Sequence, residues 1–324
     1  VKSPFNFERQ ASADALRERR HKDGERRHLK VDETARMKKA EQKAFDVVLA
    51  SCVGLPEPDE DEAPLSNALR AAGVNARVMA WDDPLADFAT AKMVVIRSTW
   101  NYCRAYEAFL RWVDETSAHS DLHNPAPVVH WNLHKKYLLD LGARGIPTIP
   151  TRIFSTGQDV SLAAVARELD ATEIVIKPAV SAASSRTIRA EANSAAAQDH
   201  LRAILETDDV MIQPYVRSVE GYGERAIICI DGKLSHAVRK SPRFQGDRAI
   251  VSGAMPIADD EAALALNVLA AIPGPLLYAR VDMVRDARNM PIVMEVELTE
   301  PSLFLVQSPS AFDRFVAAIA QRLK

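Results

Sequence analysis

The sequence has no glycine fingerprint for a dinucleotide, no paired cysteines, no long apolar run and little net charge. Its 12 glycines never fall into Gly-x-Gly-x-x-Gly, which disfavours a dinucleotide-binding Rossmann domain. Three cysteines, Cys52, Cys103 and Cys229, are odd in number, far apart and mostly set in apolar runs. They are expected to be buried free thiols in a reducing compartment, so the protein is expected to be cytoplasmic. No apolar stretch approaches the ~20 residues of a membrane-spanning helix, and no signal-peptide core follows the basic N-terminus, so no membrane is expected as a partner. A net charge of -3, with basic residues not interleaved with aromatics, argues against nucleic acid. His123, His130, His134 and His236 lack metal-ligand spacing, and no nucleophile–histidine–acid set is visible.

What is present is the composition of a folded globular protein: 47% apolar and 26% charged residues, over a length sufficient for two or three domains. Residues 1–44 stand apart, with 13 Lys or Arg against 8 Asp or Glu and few large apolar side chains. They are expected to form a flexible or partly helical extension; the alternative is a basic arm contacting another subunit or a nucleic acid. Strands are then expected at 45–50, 74–81 and 93–97, with a helix at 65–72 stopped by Gly73. This βαβ-like order predicts a small α/β domain over 45–130. A helix at 131–145 with Asn132 as cap, strands at 148–154 and 173–178, a helix at 162–169 and an alanine-rich helix from 192 make a second domain over 131–210. Strands at 210–215, 226–230, 234–240, 278–284 and 292–297, closed by a helix at 310–323, make a third over 211–324.

Three carboxylates of that last domain, Asp282, Glu295 and Glu297, are the most informative residues. They lie on two apolar strands joined by the polar stretch 285–290, and a turn centred on Arg288-Asn289 sets Asp282 opposite Glu295. With side chains alternating at period two, Glu297 joins them on one face, while Ile292, Met294 and Val296 are expected to be core. Three like charges together repel strongly unless a positive charge sits among them. Hard divalent ions such as Mg²⁺ prefer oxygen ligands and bridge carboxylates to nucleotide phosphates, so a metal–nucleotide site is expected.

Upstream residues offer the phosphate side. Lys177 ends an apolar strand, where a lysine ordinarily snorkels to water. The small-residue loop 179–185 that follows lets backbone N–H groups approach phosphate, with the hydroxyls of Ser181 and Ser184 as added donors. Lys135 is placed in the first turn of its helix, where the macrodipole disfavours a cation unless an anion compensates; Lys136 is an equal candidate by position. Asp231-Gly232 signals a type I′ hairpin whose register sets Glu224 opposite Arg239. That pair is either a cross-strand ion pair or divided between ribose and a terminal phosphate. Arg97, Ser98 and Thr99 follow the strand at 93–97, where open α/β sheets gather ligands; they are candidates for substrate binding or for a structural turn.

Taken in order, these elements resemble the ATP-grasp superfamily over residues 45–324. The pattern runs from the lysine-bearing stretch 131–137 through Val175-Ile-Lys-Pro178, Met211-Ile-Gln-Pro-Tyr215 and residues 223–240 to the carboxylate strands. Residues 96–102, 237–240 and 295–304 look especially like the cycloserine-synthetase branch, with glutathione-synthetase-like ligases also similar. The resemblance implies an α/β (α+β) ATP-grasp fold, in which an N-terminal pre-ATP-grasp domain accompanies two α+β subdomains that sandwich ATP. It implies an ATP- and Mg²⁺-dependent carboxylate–amine ligase that works through an acyl-phosphate on a small amino-acid-like substrate. Lys135 and Lys177 would hold phosphates, Gln213 and Val216 would line the adenine hinge, and Glu224 would bind ribose. Arg239 would face the γ-phosphate, and Asp282, Glu295 and Glu297 would ligate two Mg²⁺ ions. The sequence departs from the glutathione-synthetase pattern in its glycine-free loop and at Ala226, which stands for a basic residue; Glu297 stands where many members have Asn. A ligase that cyclises a single molecule is the nearest rival reading, ahead of a non-catalytic nucleotide-binding module and of a kinase. The implied partners are small carboxylates and amines, with a second copy in a homodimer as among many relatives.

Overall fold

Two apolar runs without polar alternation, β1 (Phe45–Ser51) and β3 (Ala91–Ile96), form the centre of the first sheet and are buried along most of their length. The computed structural model describes residues 43–242 and 250–324, so the expected extension at 1–44 lies almost wholly outside the described residues. β2 (Ala76–Ala80) and β4 (Asp121–His123) flank the central pair in the all-parallel order β2-β1-β3-β4. The first crossover, α1 (Glu62–Ala71), stops at Gly73, whose φ of +79° favours a residue without Cβ. The crossover from β3 to β4, α2 (Tyr106–His119), buries Phe109, which packs edge-on against Trp81 at 5.0 Å.

In place of the single helix expected at 131–145 there are two, α3 (Ala126–Leu133) and α4 (Tyr137–Ala143). At the break between them the Lys135 N–H donates to Ala179 O at 2.9 Å instead of to a helical carbonyl. Asn132 is not a cap; it lies inside α3 and is buried. The second sheet is antiparallel, in the order β5-β8-β6-β7, with β5 (Arg152–Phe154), β6 (Glu173–Pro178), β7 (Ile188–Glu191) and β8 (Val210–Pro214). It packs on α5 (Leu162–Glu168) and α6 (Ala195–Leu205), whose N-caps Ser161 and Ser194 accept from the N–H groups of Ala164 and Ala197. Because β8 belongs to this sheet, the change of sheet comes after Pro214 and not at 210.

The third sheet is also antiparallel, in the order β10-β9-β11-β12: β9 (Glu224–Ile230), β10 (Lys233–Lys240), β11 (Tyr278–Arg285) and β12 (Pro291–Glu297). On one face Ile228, Val238 and Tyr278 share a core with β1, β3 and α8 (Pro309–Arg322). On the other, Ile227, Val281 and Val296 pack against α7 (Asp259–Ala271). The first and third sheets thus share one hydrophobic core.

Two buried amides fasten that contact. Asn124 Nδ2 donates to Tyr278 O at 2.9 Å and Leu298 O at 2.7 Å, while its Oδ1 accepts from Leu277 N at 2.8 Å. Asn132 does the same for Val296 O and Leu298 N, both at 2.7 Å. Each side chain acts as a short piece of neighbouring backbone for the third sheet. Replacing Asn124 by Ala leaves buried donors and acceptors unpaired and is expected to cost about 3 kcal/mol. Urea unfolding should show this as a lower midpoint with an unchanged slope.

Candidate active site

One cavity of about 550 Å³ opens among the three sheets, apolar at one end and densely charged at the other. The apolar end is made by Ile149, Val219 and Met294 beside the strand exit Gln213–Val216. Gln213 is buried and donates from Nε2 to Thr151 Oγ1 at 3.0 Å, and Val216 stands at the cavity wall. The glycine-free loop after β6 takes left-handed backbone at Ala183 (φ 51°), Ser184 (φ 55°) and Arg186 (φ 53°). Ser181 Oγ donates to Pro178 O at 3.1 Å, and both Ser181 and Ser184 line the cavity.

At the charged end the carboxylates sit as the register arithmetic requires, although by a different route. Asp282 is opposite Glu295 and Arg280 opposite Glu297, but the hairpin is centred on Arg288 alone and Met294 is an extra residue bulged out of β12. The bulge corrects the expected core assignment: Val293 and Val296 are buried in the core, whereas Ile292 and Met294 turn to the cavity side.

A second bulge corrects the catalytic expectation. Asp231 and Gly232 both have positive φ (53° and 70°), as a type I′ turn demands. The register then slips between Leu234 and His236, which places Lys240, not Arg239, opposite Glu224. Arg239 is exposed and pairs with Arg225 across the strands, its stem lying over the bare Cα of Gly223, where an added Cβ would meet Arg239 Cγ at 2.6 Å. Among the described residues that line the cavity, the basic ones are Lys135, Lys177, Lys240 and Arg280.

Each of these meets a carboxylate. Lys135 Nζ lies 3.1 Å from Glu295 Oε1 and donates to Ser181 O at 2.9 Å; Lys177 Nζ lies 3.2 Å from Glu295 Oε2. Lys136 is exposed, which separates the two positional candidates. Arg280 donates to Asp282 from Nε at 2.9 Å and Nη2 at 2.8 Å, and also pairs with Glu297. Lys240 bridges Asp282, at 2.8 Å, and Glu224. The positive charge that three clustered acids need is therefore supplied by side chains. Among the described residues no three acidic, histidine or cysteine side chains converge on one point as a ready-made ion cage. The donor chemistry still fits a hard ion, since oxygen ligands from adjacent strands share one face.

Burial opposes ionisation of Glu295, but Lys135 and then Lys177 override it and hold the carboxyl down to about 2. Burial likewise opposes Asp282, and Arg280 and then Lys240 keep it well below the usual carboxylate range. Glu224, where burial dominates over Lys240, is pushed up to about 7.

The loop after β3 behaves differently from the expectation of direct substrate contact. Arg97 is 1% exposed, donates to Pro301 O at 3.2 Å and lies against the Tyr278 and Phe315 rings. Ser98 Oγ lies 3.0 Å from Ser51 Oγ, and Thr99 is fully buried. None of the three lines the cavity; Trp100 and Tyr102 of the same loop do. Arg280, Lys240, Trp100 and Glu300 are site residues that the sequence reading missed. Arg280 carried a signal, since it precedes Asp282 by one period of the strand, whereas the bulge hid Lys240. The four histidines stand apart, three of them beside separate carboxylates, Asp121, Asp114 and Asp209, and His236 beside Phe304 O.

The Glu295 pairs predict an acid dependence. A carboxyl depressed from 4.5 to about 2 contributes stability that is complete above pH 4.5 and disappears as pH falls through 2. Glu295→Gln should be less stable than the parent by roughly 2–3 kcal/mol from pH 7 down to 5, and the gap should narrow below pH 4.5. Urea titrations at several pH values measure it.

Known proteins resemble this chain in sequence and fold. The family model for the D-cycloserine synthetase DcsG N-terminal domain matches residues 47–124. The cycloserine biosynthesis protein DcsG of Streptomyces lavendulae is 36% identical over 295 residues, 86% of this chain and 98% of that protein. The crystal structure of D-cycloserine synthetase DcsG superposes with a TM-score of 0.78 at 34% identity, covering 86% of this chain and 99% of that one. The ATP-grasp ligase PsnB, in complex with a phosphomimetic variant of its minimal precursor, Mg and ADP, shares the fold at a TM-score of 0.59 and 17% identity, over 87% of this chain and 100% of that one. Among the described residues no helix is long and apolar enough to cross a membrane. With its mixed α/β architecture and its likeness to DcsG along nearly the whole length of that protein, the chain belongs to the DcsG family of ATP-grasp ligases.

Proposed function

We propose that this ligase uses ATP and magnesium to convert a carboxylate of a small amino-acid-like substrate to an acyl-phosphate, which an amine then displaces to form an amide. The observation that carries the reading is the polarity of the cavity: an apolar slot beside Gln213–Val216 at one end and the basic residues Lys135, Lys177, Lys240 and Arg280 at the other. A purine with a polyphosphate tail is a ligand of that polarity. The hinge at Gln213 and Val216 takes the base, and Glu224, at the edge of β9, takes the ribose. Lys135, Lys177 and the Ser181–Ser184 loop hold phosphate oxygens. Lys240 and Arg280 replace Arg239 as the cations facing the γ-phosphate and the developing charge of the acyl-phosphate.

Asp282, Glu295 and Glu297 are the residues that would hold Mg²⁺, as two ions or one. When bound, the ion neutralises phosphate charge during phosphoryl transfer. The protein's own part is to orient the carboxylate, hold the phosphates and shelter the acyl-phosphate from water. No side-chain nucleophile is needed, consistent with the sequence.

The cyclising version of this chemistry, in which the amine belongs to the same molecule as the carboxylate, is favoured by one specific observation. The 36% identical relative is by name a cycloserine biosynthesis protein, and it is matched along 98% of its length. Measuring ADP with and without candidate amines separates the ligase from a kinase and from a binding module.

Lys240→Met is expected to lower ADP release roughly 10²-fold or more, whereas Arg239→Met stays within about threefold of the parent. A loss confined to Arg239→Met would refute the placement of Lys240. Asp282→Asn is expected to abolish ADP release while the circular dichroism spectrum is retained; unchanged release would remove Asp282 from the ion site.

A further inference from the structure

The carboxylates that the strands of the third sheet bring to the charged end of the cavity each have a basic partner: Glu295 has Lys135 and Lys177, Glu297 has Arg280, and Glu224 has Lys240. Glu300 lines the same end and, among the described residues, has no cation within ion-pair distance. Its backbone is nevertheless held firmly. Trp100 Nε1 donates to Glu300 O at 2.9 Å, and Arg97 donates to the next carbonyl, Pro301 O, at 3.2 Å. The buried loop after β3, which does not reach the cavity through Arg97, Ser98 or Thr99, therefore serves to position this one residue.

An anchored, uncompensated carboxylate beside phosphate-binding cations is suited to a cationic group brought in by the substrate. We infer that Glu300 holds the ammonium group of the attacking amine and takes one of its protons, making it a catalytic residue of the second half-reaction. The inference rests on the ligase reading above. One N–H proton of the ammonium passes to the Glu300 carboxylate, and the freed nitrogen lone pair attacks the acyl carbon. The C–N bond forms, and the C–O bond to the phosphoryl group breaks with its electron pair on phosphate. A second N–H proton leaves with the phosphate, and Glu300 returns its proton to solvent.

The surroundings of Glu300 keep it largely protonated in the free protein at pH 7, and an arriving ammonium, by favouring the carboxylate, turns it into the proton acceptor. Burial, and then the charge of Glu297, push its carboxyl up to about 8, with Glu295 acting in the same sense and Lys135 and Arg280 opposing. The Tyr102 and Tyr278 hydroxyls, on the other elements facing it, are themselves raised by burial and stay protonated.

The test compares two amines with the full-length enzyme. Wild type and Glu300→Gln are supplied with ATP, Mg²⁺ and a panel of D- and L-amino acids as carboxylates, with either ammonium chloride or hydroxylamine. Amide and hydroxamate are quantified by mass spectrometry. Hydroxylamine is a weak base, already unprotonated at pH 7, so it needs no proton acceptor before attack. Glu300→Gln is expected to lose roughly 10²-fold or more in amide formation from ammonium at pH 7 and to keep hydroxamate formation within about threefold. Its amide rate should then rise about tenfold per pH unit as free ammonia accumulates. Hydroxamate formation also shows that the variant is folded. Equal losses with both amines, no loss with either, or a wild type that makes hydroxamate but no amide would overturn the role. A wild type that yields neither product with any carboxylate overturns the inference but not the ligase reading, since a ligase that cyclises a single molecule accepts no separate amine.

Discussion

The acidic face of the third sheet exists only because cations reach it from distant parts of the chain. Asp282 is 1% exposed, and a carboxylate buried there without partners would cost several kcal/mol or stay protonated. Arg280 comes from the same strand and Lys240 from the far side of β9, but Glu295 relies on Lys135 and Lys177 from two separate elements. The interruption between α3 and α4 follows from this requirement. A continuous helix would keep the Lys135 N–H on a helical carbonyl; the break gives it to Ala179 O and delivers the ammonium to Glu295 and Ser181 O. The loop that receives Lys135 bends through left-handed backbone without a single glycine, a strain of the kind that binding sites retain.

The same pairs prepare the cavity for the proposed ligand. Lysines that neutralise carboxylates in the free protein are the groups a polyphosphate recruits, and carboxylates released by those lysines are the groups a divalent ion recruits. The exchange of partners conserves charge, so neither half needs to bury an unpaired ion. The raised carboxyl of Glu224 and the depressed one of Glu295 mark the two extremes of that environment, one governed by burial and one by its lysines.

Much of this was legible in the sequence, and the failures have particular causes. Strands with continuous apolar runs, such as β1 and β6, and helices ended by a positive-φ glycine, such as α1, were readable from composition and punctuation alone. α2 and α7 were not. Their N-cap positions are Ala105 and Ala258, without a Ser, Thr, Asp or Asn cap to announce them. The first sheet's loop at Arg97–Thr99 was read for position, beyond a strand end, but an arginine between the Tyr278 and Phe315 rings is a packing outcome that no local pattern encodes. The order of the elements carried the resemblance to ATP-grasp proteins, while the amide contacts of Asn124, just after β4, and of Asn132, in α3, depend on distant segments meeting the third sheet and could not be read locally.

Register was the most consequential uncertainty, because one residue turns a strand over. In β10 the slip between Leu234 and His236 exchanges Arg239 for Lys240 at the cavity, so a hairpin correctly located by Asp231-Gly232 still named the wrong cation. In β12 the turn centred on Arg288 and the bulge at Met294 cancel, so Asp282 and Glu295 face one another regardless. The cancellation is not neutral for the site. Strict alternation would send Met294 to the core beside Val296 and leave the charged end without its apolar neighbour. With the bulge, Met294 and Glu295 are consecutive residues that both border the cavity, one toward the apolar slot and one toward the lysines. A site that must hold a base and its phosphates within one strand needs that break in alternation, and a period-two reading of the sequence is blind to it.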